Sequence, residues 1–384
     1  MSKARGDQRT ARKQRPKAAG GSVAREGILP SQAIRLLASA GGIEPAEQFG
    51  ARQVQPASLD LRLGDVAYRV RASFLPGPRD TVAGRLEELV LHTIPLADGA
   101  VLETGCVYVV PLLERLALPA GLSAAANPKS STGRLDVFTR VIADGVSSFD
   151  TIPDGYHGPL FAEICPQTFP VVVRRGSALS QLRFRAGLPA LSDAQLTRLH
   201  ETDTLVSGGA AADISGGIAL SVDLVGDAQG LIGYRAKRHT GVVDVDAPGS
   251  CAVLDYWEPI RRHGRGRNLI LDPDQFYILA SKEWVHVPPL YAAEMVPFNP
   301  LVGEFRVHYA GFMDPGFGHA PAGGSGARVV LEVRSHKVPF ILEDGQIIGR
   351  LIYERMQDEP EVLYGTDLGS NYQAQGLKLS KHFR

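Results

Sequence analysis

The densest concentration of chemistry-bearing side chains is the stretch ANPKSSTGRLDVFTR, residues 125–139, in which Lys129, Ser130, Ser131, Thr132, Gly133 and Arg134 stand in succession just before an apolar run. Short hydroxyl donors and backbone N–H groups in a turn form a concave nest for an anion. The flanking Lys adds a point charge and the Arg a planar fork, and both suit phosphate oxygens. Further on, Glu163 stands in FAEICP among apolar neighbours. An apolar setting makes a carboxyl group a better proton shuttle than a solvated one. An anion loop followed by such a carboxylate is a pattern for holding a charged substrate while protons move at its other end.

Those residues need a scaffold, and 384 residues with 44% hydrophobic content suffice for two ordinary domains. Lys plus Arg and Asp plus Glu balance at 41 each. No global field therefore draws nucleic acid or a membrane, and neither is expected as a partner. Cys106, Cys165 and Cys251 are odd in number and lack a CxxC spacing, which indicates neither a disulfide framework nor a zinc site and fits a reducing cytoplasm. The N-terminus lacks the apolar core of a signal peptide, and no apolar run of about 18 residues is present to span a bilayer. The expectation is a soluble cytoplasmic protein.

Residues 1–26 are basic and nearly free of large apolar side chains, so they are expected to form a disordered tail. GILPSQAIRLLASAGGI, residues 27–43, predicts a short helix capped by Ser31, with Ile34, Leu36 and Leu37 inward and an end at Gly41–Gly42. Beyond it, Pro and Gly punctuate short β-branched runs such as VYVVPLL and FPVVVRR, the pattern of a sandwich, barrel or jelly roll. Residues 191–214 break that pattern with one helical stretch and a Gly/Ala-rich link.

The second half repeats the first. LETGCVYVVPLLERLALPA at 102–120 lies over LDPDQFYILASKEWVHVPP at 271–289, pairing Leu102 with Leu271, Tyr108 with Tyr277 and Glu114 with Glu283. The same offset later pairs Glu163 with Glu332 and Gly176 with Gly345. The fold class read from this is mainly β, two copies of one domain with short helices: repeat 1 over 27–190, a linker over 191–214, repeat 2 over 215–358 and a C-terminal tail over 359–384. In repeat 2 the segment matching the serine loop is MVPFNPLVGEFRV, which keeps only the Gly, so the copies share a fold but not this loop's chemistry.

Taken in order, QPASLDLRLG (55–64), PKSSTGRL (128–135), PDGYHG (153–158), the strand Glu163 and the tail YGTDLGSNYQAQG (364–376) resemble the dCTP deaminase family of the dUTPase-like superfamily. The resemblance implies tandem dUTPase-like (β-clip, distorted jelly-roll) domains and, since the family is typically homotrimeric, a homo-oligomer. It implies that Lys129, Ser130 and Ser131 hold triphosphate oxygens, that Arg134 lies near the reacting base and that Glu163 is the catalytic carboxylate. Ala143 would present backbone groups to the pyrimidine, and Gln375 would close over the phosphates. Asn371 stands where the family usually has Lys. The Asp-Pro-Gly turn that touches the deoxyribose is altered in copy one, Pro153–Asp154–Gly155, and intact in copy two, Asp314–Pro315–Gly316, so Asp154 and Asp314 are both candidates and a site shared between the copies is one expectation. Glu332, without a serine loop of its own, reads as a remnant or an ion-pair partner.

The implied activity is hydrolytic deamination of dCTP to dUTP and ammonia, supplying dUTP for pyrimidine deoxynucleotide synthesis. Alternatives are a dUTP pyrophosphatase or bifunctional enzyme, with Asp154 orienting water at phosphorus, and a non-catalytic nucleotide-binding module. The zinc-deaminase signature H-x-E with P-C-x-x-C is absent, and scattered histidines such as His286, His308, His319 and His336 do not replace it. No zinc is expected; Mg²⁺ would enter with the triphosphate.

Overall fold

The computed structural model describes residues 25–208, 211–262, 264, 266–297, 305–308, 311–322, 326–335, 337–365, 372–373 and 375–384. The basic tail up to residue 24, the repeat 2 counterpart of the serine loop, His336 and Asn371 lie outside the described residues. So does the side chain of His308.

Apolar runs become paired strands, and the pairing repeats between the halves. In the first half, the strand His157–Pro166 lies between Val107–Ala117 and Val137–Ala143, both antiparallel to it. In the second, Ala327–Ser335 lies between Phe276–Val285 and Phe305–His308 in the same way. The register reproduces the sequence offset: Glu163 opposes Val109 and Arg140, and Glu332 opposes Ile278 and His308. A second sheet is likewise duplicated, with Ala178–Ala186 between Leu59–Arg62 and Leu122–Pro128, and Ile347–Arg355 between Ile218–Ser221 and Tyr291–Pro297. The chain is mainly β and built from two copies of one strand arrangement.

Short helices punctuate the strands. The first spans Ser31–Ser39, but Pro30 occupies its cap position and Ser31 is a buried first-turn residue instead of the cap. Proline suits the edge of a helix because its missing N–H has no intrahelical partner there. Ile34 is buried, whereas Leu36 is 71% exposed, contrary to the inward placement expected for it. At about 100° per residue, 36 falls off the stripe that 34, 37 and 38 share. The linking segment holds the helix Asp193–Thr202, opened by a capping box between Ser192 and Gln195.

The two halves are interlocked. Val243–Asp244 of the second half pairs in parallel with Val171–Val173 of the first. Phe169, Tyr256, Trp257 and the C-terminal Phe383 form an aromatic knot, with ring centroids 5.3–6.1 Å apart among the Phe169 pairs. Such edge and tilted packings add to the large area that aromatic rings bury. The C-terminus thereby becomes a strap between the halves: Ser380 Oγ donates to the Ser131 carbonyl of the first at 2.8 Å, while within the second Cys251 N–H donates to the His382 carbonyl and Arg384 N–H to the Cys251 carbonyl, each at 3.0 Å.

Candidate active site between the repeats

The serine loop starts where the strand Leu122–Pro128 ends. Lys129 is extended, its N–H donating to the Leu179 carbonyl at 2.9 Å, and Ser130–Gly133 form a single helical turn. Asp136, at φ 57, closes the turn and sends the chain into the strand Val137–Ala143. This loop lines a cavity of about 320 Å³, within the size range of small-molecule sites.

The opposite wall is built by repeat 2. Arg334 donates to Asp136 and, at 2.9 Å, to the Thr168 hydroxyl, stitching the strand Ala327–Ser335 to the turn that carries Arg134. Two residues back along the same face of that strand, Glu332 points at Arg134, with Oε1 3.8 Å from Nε. Both side chains are almost fully buried. Burial pushes the Glu332 carboxyl up to about 8, with the Arg134 cation opposing the rise. The group therefore changes protonation near neutrality, where a proton shuttle is most effective.

Arg134 is held from three further directions. Its Nη1 donates to Gln375 Oε1 and to the Lys378 carbonyl, each at 3.0 Å, and its guanidinium stacks 3.9 Å from the Tyr372 ring centroid. Gln375 is itself fixed by an exchange with Arg328, whose N–H donates to the Gln375 carbonyl at 2.9 Å. The tail thus acts as one wall of the pocket.

At the polar end, Lys129 donates to Asp60, whose other oxygen is buried without a hydrogen-bond partner. Desolvation raises the Asp60 pKa against the pull of Lys129. The third wall is the turn Asp314–Pro315–Gly316. Gly316 has φ 99, and a Cβ there would meet the Tyr364 carbonyl oxygen at 2.7 Å, so only glycine fits. Asp314 is held by Arg183 of repeat 1: Nη2 donates to Oδ1 at 3.0 Å, and the same guanidinium reaches Glu354 and the carbonyls of Ala293 and Met313. Desolvation raises the Asp314 pKa, and Arg183 counters it.

Lys129, Ser130, Ser131, Arg134, Asp314 and Gln375 therefore converge on one pocket. Glu163, Ala143 and Asp154 do not line it. Glu163 is buried, but in the six-stranded sheet of repeat 1, where Arg140 Nε donates to it at 3.2 Å from between the rings of Phe138 and Phe149. Glu163 was expected to act with the serine loop; within this chain the loop faces the strand of the other repeat, which presents Glu332. Ala143 is buried in its own strand, and Asp154 is exposed in a turn, accepting from Gly121 N–H at 2.8 Å. Tyr372 and Lys381 are pocket residues that sequence reasoning did not select, and Glu332, read there as a remnant or an ion-pair partner, is found paired with Arg134. Of the scattered histidines, His286 and His319 stack, Nε2 to Nδ1 2.7 Å apart, with Asp203 3.3 Å from His286. Among the described residues, no group of three or more His, Cys, Asp or Glu is arranged to hold a metal ion.

A duplicated β fold with an anion loop on one copy and a buried carboxyl on the other defines a nucleotide-handling protein of the dUTPase-like class. Residues 25–188 match the N-terminal domain of 2'-deoxycytidine 5'-triphosphate deaminase, and residues 192–383 match its C-terminal domain. The chain belongs to the dCTP deaminase family. It is 62% identical to a 2'-deoxycytidine 5'-triphosphate deaminase from Agrobacterium tumefaciens whose crystal structure superposes with a TM-score of 0.83, over 88% of this chain and 100% of that one. It is also 31% identical to a dCTP deaminase from Halorubrum lacusprofundi, over 37% of this chain and 68% of the relative. A dUMP-forming dCTP deaminase from Corynebacterium glutamicum is 30% identical over 42% of this chain and 83% of its own length.

Proposed function

We propose that the protein deaminates dCTP hydrolytically to dUTP and ammonia, with Glu332 as the proton shuttle. The observation that carries this reading is the Glu332 carboxyl, buried 3.8 Å from Arg134 in the pocket that the serine loop also lines. In its ionised form Glu332 takes a proton from water as the oxygen attacks C4 of cytosine. It passes that proton to N3, and a further transfer from the attacking oxygen to the amino group lets ammonia leave, so C4–N is exchanged for C4=O. Arg134, locked by Gln375 and Tyr372, stabilises the ionised carboxylate and orients the base edge. Lys129, Ser130 and Ser131 hold phosphate oxygens, and the Asp314 turn bears on the sugar.

Magnesium would be held chiefly by the triphosphate, neutralising part of its charge, with the unpartnered Oδ1 of Asp60 as the protein oxygen left to serve it. Among the described residues, no helix is long and apolar enough to cross a membrane. A cytoplasmic setting without nucleic-acid or membrane partners completes the proposal, supported by the zero net charge and three free cysteines. Homo-oligomerisation belongs to it too, supported by the exposed Ile270 and Ile341 side by side on one two-stranded sheet.

The test is incubation of the purified chain with dCTP and Mg²⁺, quantifying ammonia, dUTP, dUMP and pyrophosphate. Ammonia with dUTP in equal amounts is expected. Pyrophosphate with dUMP would show the bifunctional reaction instead, and binding without any product would overturn the catalytic reading.

A further inference from the structure

Lys381 lines the same pocket as Lys129, Ser130, Ser131 and Asp60, yet it comes from the C-terminal strap, more than two hundred residues from that loop. Among the described residues its Nζ makes no hydrogen bond or ion pair. The carboxylates within its electrostatic reach are already engaged: Asp60 with Lys129, and Asp246 with the Ser177 hydroxyl at 2.5 Å and with Arg174 at 3.5 Å. Lys381 is thus a surplus cation set beside another cation.

Its position is not an accident of a loose terminus. The Lys381 N–H donates to the Tyr372 hydroxyl at 3.1 Å, and its carbonyl accepts from Gly249 N–H at 3.0 Å. The neighbours on either side are buried: Ser380 Oγ lies 2.8 Å from the Ser131 carbonyl oxygen, and the His382 ring spans from Ser380 Oγ at 2.9 Å to the Val245 carbonyl at 2.9 Å. Ser380–Phe383 form a turn, closed by the Phe383 N–H on the Ser380 carbonyl at 3.0 Å, and Lys381, between its two buried neighbours, is the member of that turn that lines the pocket. Burial lowers the Lys381 pKa, and the charge of Lys129 lowers it further. A fold that fixes two lysines together around one carboxylate stores repulsion that an incoming anion relieves.

We propose that Lys381 binds the phosphate end of the substrate nucleoside triphosphate, so that the C-terminal strap supplies part of the anion site. The proposal rests on the reading of this pocket as a nucleoside triphosphate site. A lysine ammonium suits a terminal phosphate as a compact charge with three donors. Ser380 reaches the serine loop itself, so the strap and the loop form one phosphate cradle drawn from the first repeat and the C-terminal tail.

The experiment compares full-length wild type with Lys381→Met, which keeps the aliphatic stem, and Lys381→Arg, which keeps the charge. Steady-state deamination of dCTP is measured, together with calorimetric binding of inorganic tripolyphosphate. A charge-assisted contact of this kind is worth on the order of tenfold to a hundredfold in affinity. Lys381→Met is therefore expected to raise the KM for dCTP and to weaken tripolyphosphate binding by such factors, with kcat and melting temperature held. Lys381→Arg is expected to recover most of both losses. Unchanged tripolyphosphate binding in Lys381→Met, or a fall in kcat that follows melting temperature and is not rescued by Arg, would overturn the proposal. If wild type does not deaminate dCTP while tripolyphosphate binding still depends on Lys381, the proposal stands and the deaminase reading falls.

Discussion

Replacing Glu332 with Gln separates the chemical role of this carboxyl from its cost to the fold. The carboxyl is moved from its ordinary 4.5 to about 8 by burial, which corresponds to about 5 kcal/mol between its two protonation states. The folded protein keeps a proton that the unfolded chain releases, so the penalty is absent below about pH 4.5, grows as pH rises and is complete above about pH 8. An amide of the same shape mimics the protonated form and carries no such penalty. Glu332→Gln should match wild type in stability near pH 4.5 and exceed it by a few kcal/mol at pH 8, read by denaturant unfolding at both values. Deamination should fall by about 10²–10⁴-fold in kcat, the usual range for loss of a general acid–base group. Stability that is equal or lower at pH 8, together with turnover near that of wild type, would refute the assignment.

Two other substitutions test the division of labour between repeats. Glu163→Gln should leave kcat and KM for dCTP within about threefold of wild type, because Glu163 lies outside the pocket, while weakening its charge-assisted bond to Arg140 by about 1–3 kcal/mol, seen as a lower melting temperature. A loss of kcat at an unchanged melting temperature would return the catalytic role to Glu163. Arg183→Met strands Asp314 in the interior, whereas Glu354 keeps Arg185 at 2.7 Å, and should cost about 3–5 kcal/mol in denaturant unfolding, with an increased KM for dCTP because the Asp314 turn is a pocket wall. Unaltered stability would show that the clamp is not needed.

The duplication was legible because strand pairing preserved one sequence offset, which survives in the register as Val109 opposite Glu163 and Ile278 opposite Glu332. The serine loop was legible because its chemistry is contiguous. The carboxylate partner was not, since contiguity says nothing about which copy faces the loop. A signal was nonetheless present: copy one keeps the serines and has an altered turn, whereas copy two has lost the serines and keeps Asp314–Pro315–Gly316 intact. Complementary losses of this kind point to a site assembled from the first copy's loop and the second copy's turn, and hence to the second copy's carboxyl. Lys381 was illegible for a different reason. Its neighbours Ser380 and His382 acquire meaning only once the C-terminus lies against Ser131 and Val245, and no local pattern announces that contact. Leu36 shows the smaller error of reading an apolar residue as inward without checking its helical phase.

The strand Val243–Asp244, laid in parallel against Val171–Val173, has a consequence for how the site responds to dilution. Where two halves of a catalytic centre sit on separate molecules, their encounter is second order, and thinning the solution disassembles the centre. Here the loop of one repeat and the carboxyl of the other are tethered by one polypeptide and further zipped by that strand, so their local concentration is set by the tether and not by the cell's expression level. Bringing the loop of one repeat to the carboxyl of the other thereby becomes part of folding.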